Sequence, residues 1–227
     1  MKAFKALFHE TARYRHRHEV FRDFVTMSAI GISNAVDPTG ERLARESEYL
    51  QITQRYTPED IDRHCRLLAL VVEGLQPAPE DFLGRLYMDL ELGDAHRGQF
   101  YTPHGVSKMM AEMQFSYLPE QLAKTPFVTV SDPACGAGGM LLPVVEILQR
   151  SGHDPARHLW IQAVDIDRVS ALMCYIQLTL WNVPAEVIVG DTLRLEIRES
   201  WYTPAYELNG WRERLRRAGL GPGFIGS

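Results

Sequence analysis

Three aspartates punctuate the second half of the chain at regular distances: Asp132, Asp165 and Asp191. Each closes a short run of β-branched and apolar residues, so each is expected at the carboxyl end of a strand, where open α/β sheets bind ligands. Behind Asp132 comes a turn containing Gly136, Gly138 and Gly139, followed by an apolar segment over 141–148. Glycines in such a turn let the backbone bend sharply and approach a ligand, because no Cβ stands in the way. Asp165 comes one strand–helix–strand unit later, where an acid can accept both hydroxyls of a ribose. Asp191, a further unit on, can face an adenine ring, and Asp132 can accept from an ammonium group. The set suits a ribose, an adenine and a charged amino-acid tail. The same carboxylates can also cap the helices that follow them. Three in register beside a glycine turn favour a ligand.

The elements that must position these residues follow from periodicity. Strands are expected over 127–131, 160–164 and 185–189, with helices over 140–150 and 168–180, an alternating α/β pattern. Residues 1–97 read instead as helical. Phe4, Leu7, Phe8, Val20, Phe21, Phe24 and Val25 recur mostly at three- and four-residue spacing. A turn at 37–40 precedes a charged helix over 41–55. Thr57-Pro58-Glu59-Asp60 is a helix start, with Thr57 as N-cap, and a second start at 79–81 opens a helix carrying Phe82, Leu83, Leu86 and Tyr87. Two domains are expected, a helical one over 1–97 and an α/β ligand-binding one over 98–227. The segment GQFYTP at 98–103 interrupts the helical run, and a helix over 105–115 is expected to put Val106, Met109, Met110 and Met113 into the core.

Bulk properties narrow the class. The 227 residues are 45% hydrophobic and 23% charged, ordinary for a globular protein, and the net charge of −5 argues against a protein that coats nucleic acid non-specifically. Cys65, Cys135 and Cys174 show no CxxC spacing and read as reduced thiols of a cytosolic protein. The charged N-terminus is unlike a signal peptide, and no stretch approaches the roughly 20 apolar residues of a membrane span. The basic cluster Arg13, Arg15, His16, Arg17 and His18 reads as a solvated helix face, and His9, His16 and His18 lack ligand partners for a metal.

Four segments carry a family resemblance. GQFYTP at 98–103, DPACGAGG at 132–139, AVDID at 163–167 and GDTL at 190–193 resemble motifs X, I, II and III of adenine-N6 DNA methyltransferases, in that family's order. The modification subunits of type I restriction systems are the nearest likeness, and the resemblance covers about residues 78–195. It implies a Rossmann-like S-adenosylmethionine-dependent methyltransferase fold, with S-adenosylmethionine as cofactor. Carried onto this chain, Tyr101 and Thr102 would line the methionine end, and Asp132, Cys135, Gly136 and Gly138 would hold the amino-acid tail. Asp165 would bind the ribose, Ile166 would pack on the adenine, and Asp191 with Thr192 would read its amino group.

The sequence departs from that family at the catalytic motif, an Asn, Asp or Ser followed by Pro-Pro and an aromatic. There, two acceptors take the N6 hydrogens of a flipped adenine and the ring stacks on the base. No Pro-Pro pair occurs in the sequence; Thr203-Pro204-Ala205-Tyr206 is the nearest candidate, with Tyr206 as a weak stand-in for the aromatic. Only the first half of the sheet, in the order 3-2-1, is expected, which would leave strand 1 as an apolar edge. A second copy of the chain or a partner subunit is expected to cover it. Two readings follow: a cofactor-binding protein that is not catalytic alone, which is favoured, and a DNA methyltransferase completed by a partner chain.

Overall fold

A computed structural model describes residues 1–37, 40–92, 102 and 104–220. The helical part contains α1 (Lys2–Glu10), α2 (Arg17–Asn34), α3 (Arg42–Thr53), α4 (Pro58–Leu75) and α5 (Phe82–Asp89). Then come α6 (His104–Phe115), α7 (Leu118–Leu122), β1 (Val128–Asp132), α8 (Leu142–Arg150), α9 (Pro155–His158) and β2 (Leu159–Asp165). The chain continues with α10 (Arg168–Leu180), β3 (Ala185–Asp191), β4 (Glu196–Tyr202), α11 (Pro204–Leu208) and α12 (Trp211–Arg217). The architecture is the mixed α/β arrangement expected, with helices ahead of a Rossmann-like sheet.

Local chemistry accounts for the main boundaries. Thr57 caps α4 by accepting a hydrogen bond from the Asp60 backbone N–H at 3.2 Å, with Pro58 in the first turn. Asp81 caps α5 by accepting from the Gly84 N–H at 2.7 Å, and Asp167 caps α10 through the Ser170 N–H at 2.8 Å. Strands β2 and β3 are buried on both faces along nearly their whole length, as interior parallel strands are.

The sheet order is β1-β2-β3-β4, parallel from β1 to β3, with β4 antiparallel to β3. Strand β4 corrects the three-strand expectation. Its sequence, EIRESWY, is charged and largely exposed or half-buried, so it carries none of the apolar run that marked the other strands. Tertiary partners hold it instead. Arg45 of α3 donates to the Ser200 carbonyl at 2.8 Å and lies 4.0 Å above the Trp201 ring. Arg168 grips Glu48 of α3 with two bonds of 2.9 Å and Glu199 of β4 with one of 2.7 Å. As expected, β1 stands at an edge of the sheet among the described residues.

Helix α10 is the keel of the molecule. Every residue from Val169 to Leu178 is buried, the pattern of a helix enclosed on all sides. The sheet lies against it on one side and α2, α4 and α5 on the other. One continuous core therefore runs from Phe4 and Phe21 through Leu172 and Tyr175 to Val187 and Trp201. A second cluster of Trp160, Tyr206, Trp211 and Leu215 covers the opposite face of the sheet.

Helix α6 reverses an expectation. Val106, Met109, Met110 and Met113 are exposed, while Ser107 and Ala111 are buried. The small pair, four residues apart, lets α6 lie close on α8, and Lys108–Glu146 and Arg150–Glu112 ion pairs lock that face. The methionines are thereby turned outward. Of the N-terminal basic cluster, Arg13, His16 and His18 are exposed, as a solvated face is, whereas Arg17 donates to the carbonyls that end α1, Phe8 at 3.0 Å and Thr11 at 2.7 Å, and Arg15 pairs with Glu19 at 2.6 Å. No group of His, Cys, Asp and Glu able to hold a metal occurs among the described residues, and no helix there is long and apolar enough to cross a membrane.

His64 of α4 sits in this core, stacked on Phe24 and edge-on to Tyr56. Burial lowers its pKa from 6.5 to about 4, against a weaker opposing pull from Asp60. The unfolded chain therefore binds a proton that the native state refuses, and stability falls as pH drops from the first value through the second. The lost stabilisation amounts to roughly 3 kcal/mol. His64→Phe keeps the ring and removes the titration, so its stability relative to wild type should rise by about that amount between pH 7 and pH 4 in urea unfolding. A difference independent of pH would contradict this account.

Candidate functional site

The glycine turn is built by backbone geometry that only glycine adopts freely. Gly136 has φ of +55° and Gly138 φ of +94°. A Cβ on Gly138 would also come within 3.1 Å of the Cys174 sulfur. The turn is anchored to the next strand through Cys135 N–H, which donates to the Val164 carbonyl at 2.8 Å.

All three strand-end aspartates lie at one end of the sheet, and each is occupied with backbone. Asp132 accepts from Ala134 N–H at 3.0 Å through one oxygen. Asp165 accepts from Gly136 N–H and Asp167 N–H, both at 2.8 Å, and so joins the glycine turn to the start of α10. Asp191 accepts from Leu193 and Arg194 N–H at 3.0 and 3.2 Å. Thr192 closes the set, its hydroxyl donating to the Pro133 carbonyl at 2.8 Å. The helix cap itself is Asp167, so these carboxylates shape loops and do not cap α10.

Burial raises the pKa of Asp132 and Asp165 above the usual carboxylate range, and backbone hydrogen bonds only partly oppose it. Asp132 also acts on Asp165 as a neighbouring like charge. Two half-buried carboxylates in this state favour a cationic or hydroxyl-bearing ligand. Ile166, next to Asp165 in the chain, is 58% exposed, an apolar surface open to a flat ring. Cys135 is buried; a hydrogen bond with Cys174, then burial, pushes its thiol well up, so it is a neutral filler beneath the turn.

Of the other expected residues, Thr102 is exposed, and its carbonyl accepts from the Ser107 hydroxyl at 3.4 Å. Tyr101 lies outside the described residues. Tyr206 is not brought to the site. It is buried and stacked on Tyr202, and Thr203 beside it hydrogen-bonds Ala185 at the first residue of β3, while Asp191 is the last. Along a seven-residue strand that is a separation of about 20 Å. A cavity of about 420 Å³ lies elsewhere, between α2–α3 and β4, where Asp37, Glu48 and Glu199 already neutralise Arg45 and Arg168. It is a salt-bridged seam.

One residue central to the site was missed in the sequence. Gln177 of α10 accepts from Phe82 and Leu83 N–H at 2.8 and 3.0 Å and donates to Asp81 Oδ1 at 2.9 Å and the Ala137 carbonyl at 2.7 Å. Ala137 lies between the two left-handed glycines, so this amide fixes the turn against the start of α5. The signal available was a lone amide in an otherwise apolar helix, RVSALMCYIQLTL.

A model of the N-6 DNA methylase family matches residues 81–204, more than half of the chain. The chain belongs to the N-6 DNA methylase family. The match opens at Asp81, which Gln177 holds, and runs through β1 to β4. Members of this family use S-adenosylmethionine as methyl donor. Among curated proteins, none matches this chain.

Gln177→Leu would keep the side-chain volume but remove the partner of the Leu83 N–H and of the Ala137 carbonyl, while Phe82 N–H keeps the Glu80 carbonyl and Asp81 keeps the Gly84 N–H. Each group left unmatched costs about 1–3 kcal/mol, so unfolding by urea should show a loss of at least ~2 kcal/mol. Gly138→Ala, strained in φ and crowded by Cys174, should cost roughly 1–3 kcal/mol. Cys174→Ala in the same chain should recover part of that loss, because it relieves the contact and leaves the φ strain.

Proposed function

We propose that this N-6 DNA methylase family chain binds S-adenosylmethionine across the ends of β1, β2 and β3. The observation that carries the reading is the convergence of Asp132, Asp165 and Asp191 on a turn opened by Gly136 and Gly138. The residues fit the group. Asp132 has a second oxygen with no hydrogen bond among the described residues, suited to the ammonium of the amino-acid tail. Asp165 has lone pairs beyond its two backbone partners for ribose hydroxyls. Ile166 offers its exposed face to the adenine, with Asp191 and Thr192 beside the amino group and Thr102 toward the methionine end. Bound there, the cofactor supplies a sulfonium methyl group for transfer.

The chain alone is read as a binding protein, not a complete enzyme. Tyr206, the nearest substitute for the catalytic aromatic, is buried at the other end of the strands. The alternative is a DNA adenine-N6 methyltransferase of the restriction–modification type, cytosolic, with a partner chain supplying the adenine-binding half. The open edge of β1 is where we place that partner or a second copy of this chain.

Calorimetric titration with S-adenosylmethionine tests the cofactor reading. Micromolar binding is expected, weakened at least tenfold in Asp132→Asn and in Asp165→Ala, with circular dichroism reporting whether each variant is folded. Affinity should also fall on acidification, since Asp132 and Asp165 have raised pKa values: protonated Asp132 loses its attraction for the ammonium, and protonated Asp165 loses acceptor strength toward the ribose hydroxyls. No heat at millimolar cofactor would overturn it. Labelled-methyl transfer to DNA by the purified chain would sink the non-catalytic reading and leave the cofactor reading standing. The edge predicts a dimer or complex in sedimentation, or slow amide exchange along β1; a monomer with fast exchange there contradicts it.

A further inference from the structure

A concavity of about 550 Å³ opens at the end of the sheet away from the aspartates. Pro126, just ahead of β1, and Ala156, Arg157 and His158, just ahead of β2, line it together with Asn209 and Arg214. No carboxylate lines it among the described residues. Arg214 is held in place. Its guanidinium lies 3.8 Å from the centre of the Trp211 ring and 5.3 Å from that of Phe127, and Nη2 donates to the Arg157 carbonyl at 2.7 Å. Burial and, after it, the like charge of Arg157 lower its pKa. Neither arginine has an acidic partner among the described residues, because the neighbouring acids are engaged elsewhere. Asp154 accepts from the Ala156 N–H, Glu207 pairs with Arg212, and Glu213 pairs with Arg216 and Arg217.

Two neighbouring guanidiniums, one of them half-buried and fixed against aromatic rings, form a site that lacks only an anion. We infer that this concavity binds the phosphate of a small phosphomonoester, shared between Arg157 and Arg214. A guanidinium presents paired N–H groups that match phosphate oxygens, and Arg214 has spent only Nη2 on the protein among the described residues. Charge complementarity selects the class. Two cations match the dianion of a phosphomonoester, whereas a nucleic-acid backbone carries single charges spaced along a line. The volume exceeds what a bare phosphate needs and lies in the range of small-molecule sites. His158 and Asn209 add polar side chains suited to hydroxyls of the group that carries the phosphate. No lining residue is shared with the strand-end site, so the inference stands apart from cofactor binding.

Arginine modification reads the site directly. Methyl phosphate, at pH 8 and constant ionic strength, should slow the reaction of Arg157 with phenylglyoxal saturably in the full chain, followed by peptide mass spectrometry. Arg66, an exposed arginine of α4, should react at an unchanged rate. Dimethyl phosphate, the singly charged diester, should protect about tenfold more weakly, equivalent to ~1.4 kcal/mol. Methyl phosphate should also raise the melting temperature saturably over chloride at matched ionic strength. Arg157→Gln, at an exposed position, should lose that rise and keep the wild-type circular dichroism. The inference is overturned if methyl phosphate gives no saturable protection, if dimethyl phosphate equals it, or if Arg157→Gln keeps the full thermal shift. Duplex DNA without terminal phosphates protecting Arg157 better than methyl phosphate would overturn it too, and make the pair a backbone contact. Should Arg157→Gln fail to fold, the probes on the wild type decide alone.

Discussion

The buried amide of Gln177 is the interaction on which the rest of the site depends. Its two donors and two acceptor positions are all used, the complete capacity of a glutamine side chain. The four partners come from two separate places in the chain: the start of α5, with its cap Asp81 and the N–H groups of Phe82 and Leu83, and the glycine turn at Ala137. A buried network with every member satisfied is rigid and specific, whereas one with a missing member is worse than an apolar core. Here it fixes the distance between the helical part and the sheet at the turn that carries the site.

Around that point the molecule is held by burial on α10 and by a polar seam along β4. The keel helix supplies the non-directional part, enclosed by α2, α4, α5 and the sheet. The seam supplies direction. Arg168 of α10 and Arg45 of α3 both reach β4, and the bidentate grip of Arg168 on Glu48 is the geometry in which guanidinium and carboxylate match best. A strand with little apolar character of its own is thus added to the sheet by contacts with Arg45, 155 positions before Ser200, and Arg168, 31 before Glu199.

That division explains how much was legible in the sequence. The start of α4 at Thr57-Pro58, the span of α10 and the aspartates closing β1, β2 and β3 depend on neighbours within a few residues, and the sequence displays them. Strand β4 depends on Arg45 and Arg168, so its local sequence reads as a polar loop. The outward methionines of α6 were misjudged because hydrophobicity was weighed without the small Ser107–Ala111 face that packs more closely. Gln177 looked like one polar residue among apolar ones, and only the three-dimensional meeting of Asp81, Phe82 and Ala137 gives it a task. Tyr206 shows the converse: its place in the sequence suggested the site, but the antiparallel return of β4 carries it to the other end of the strands.

The aspartates at the strand ends serve the folded backbone before any ligand arrives. Asp165 alone orders two loops, and Asp191 and Asp132 each order one. The conformational entropy of these loops is therefore surrendered during folding and not during recognition, which leaves a ligand to meet a surface already set. It also ties recognition to heredity in an unusual way. A lineage that had ceased to move methyl groups would still gain ordered loops from these carboxylates, so the family's signature would outlast its chemistry.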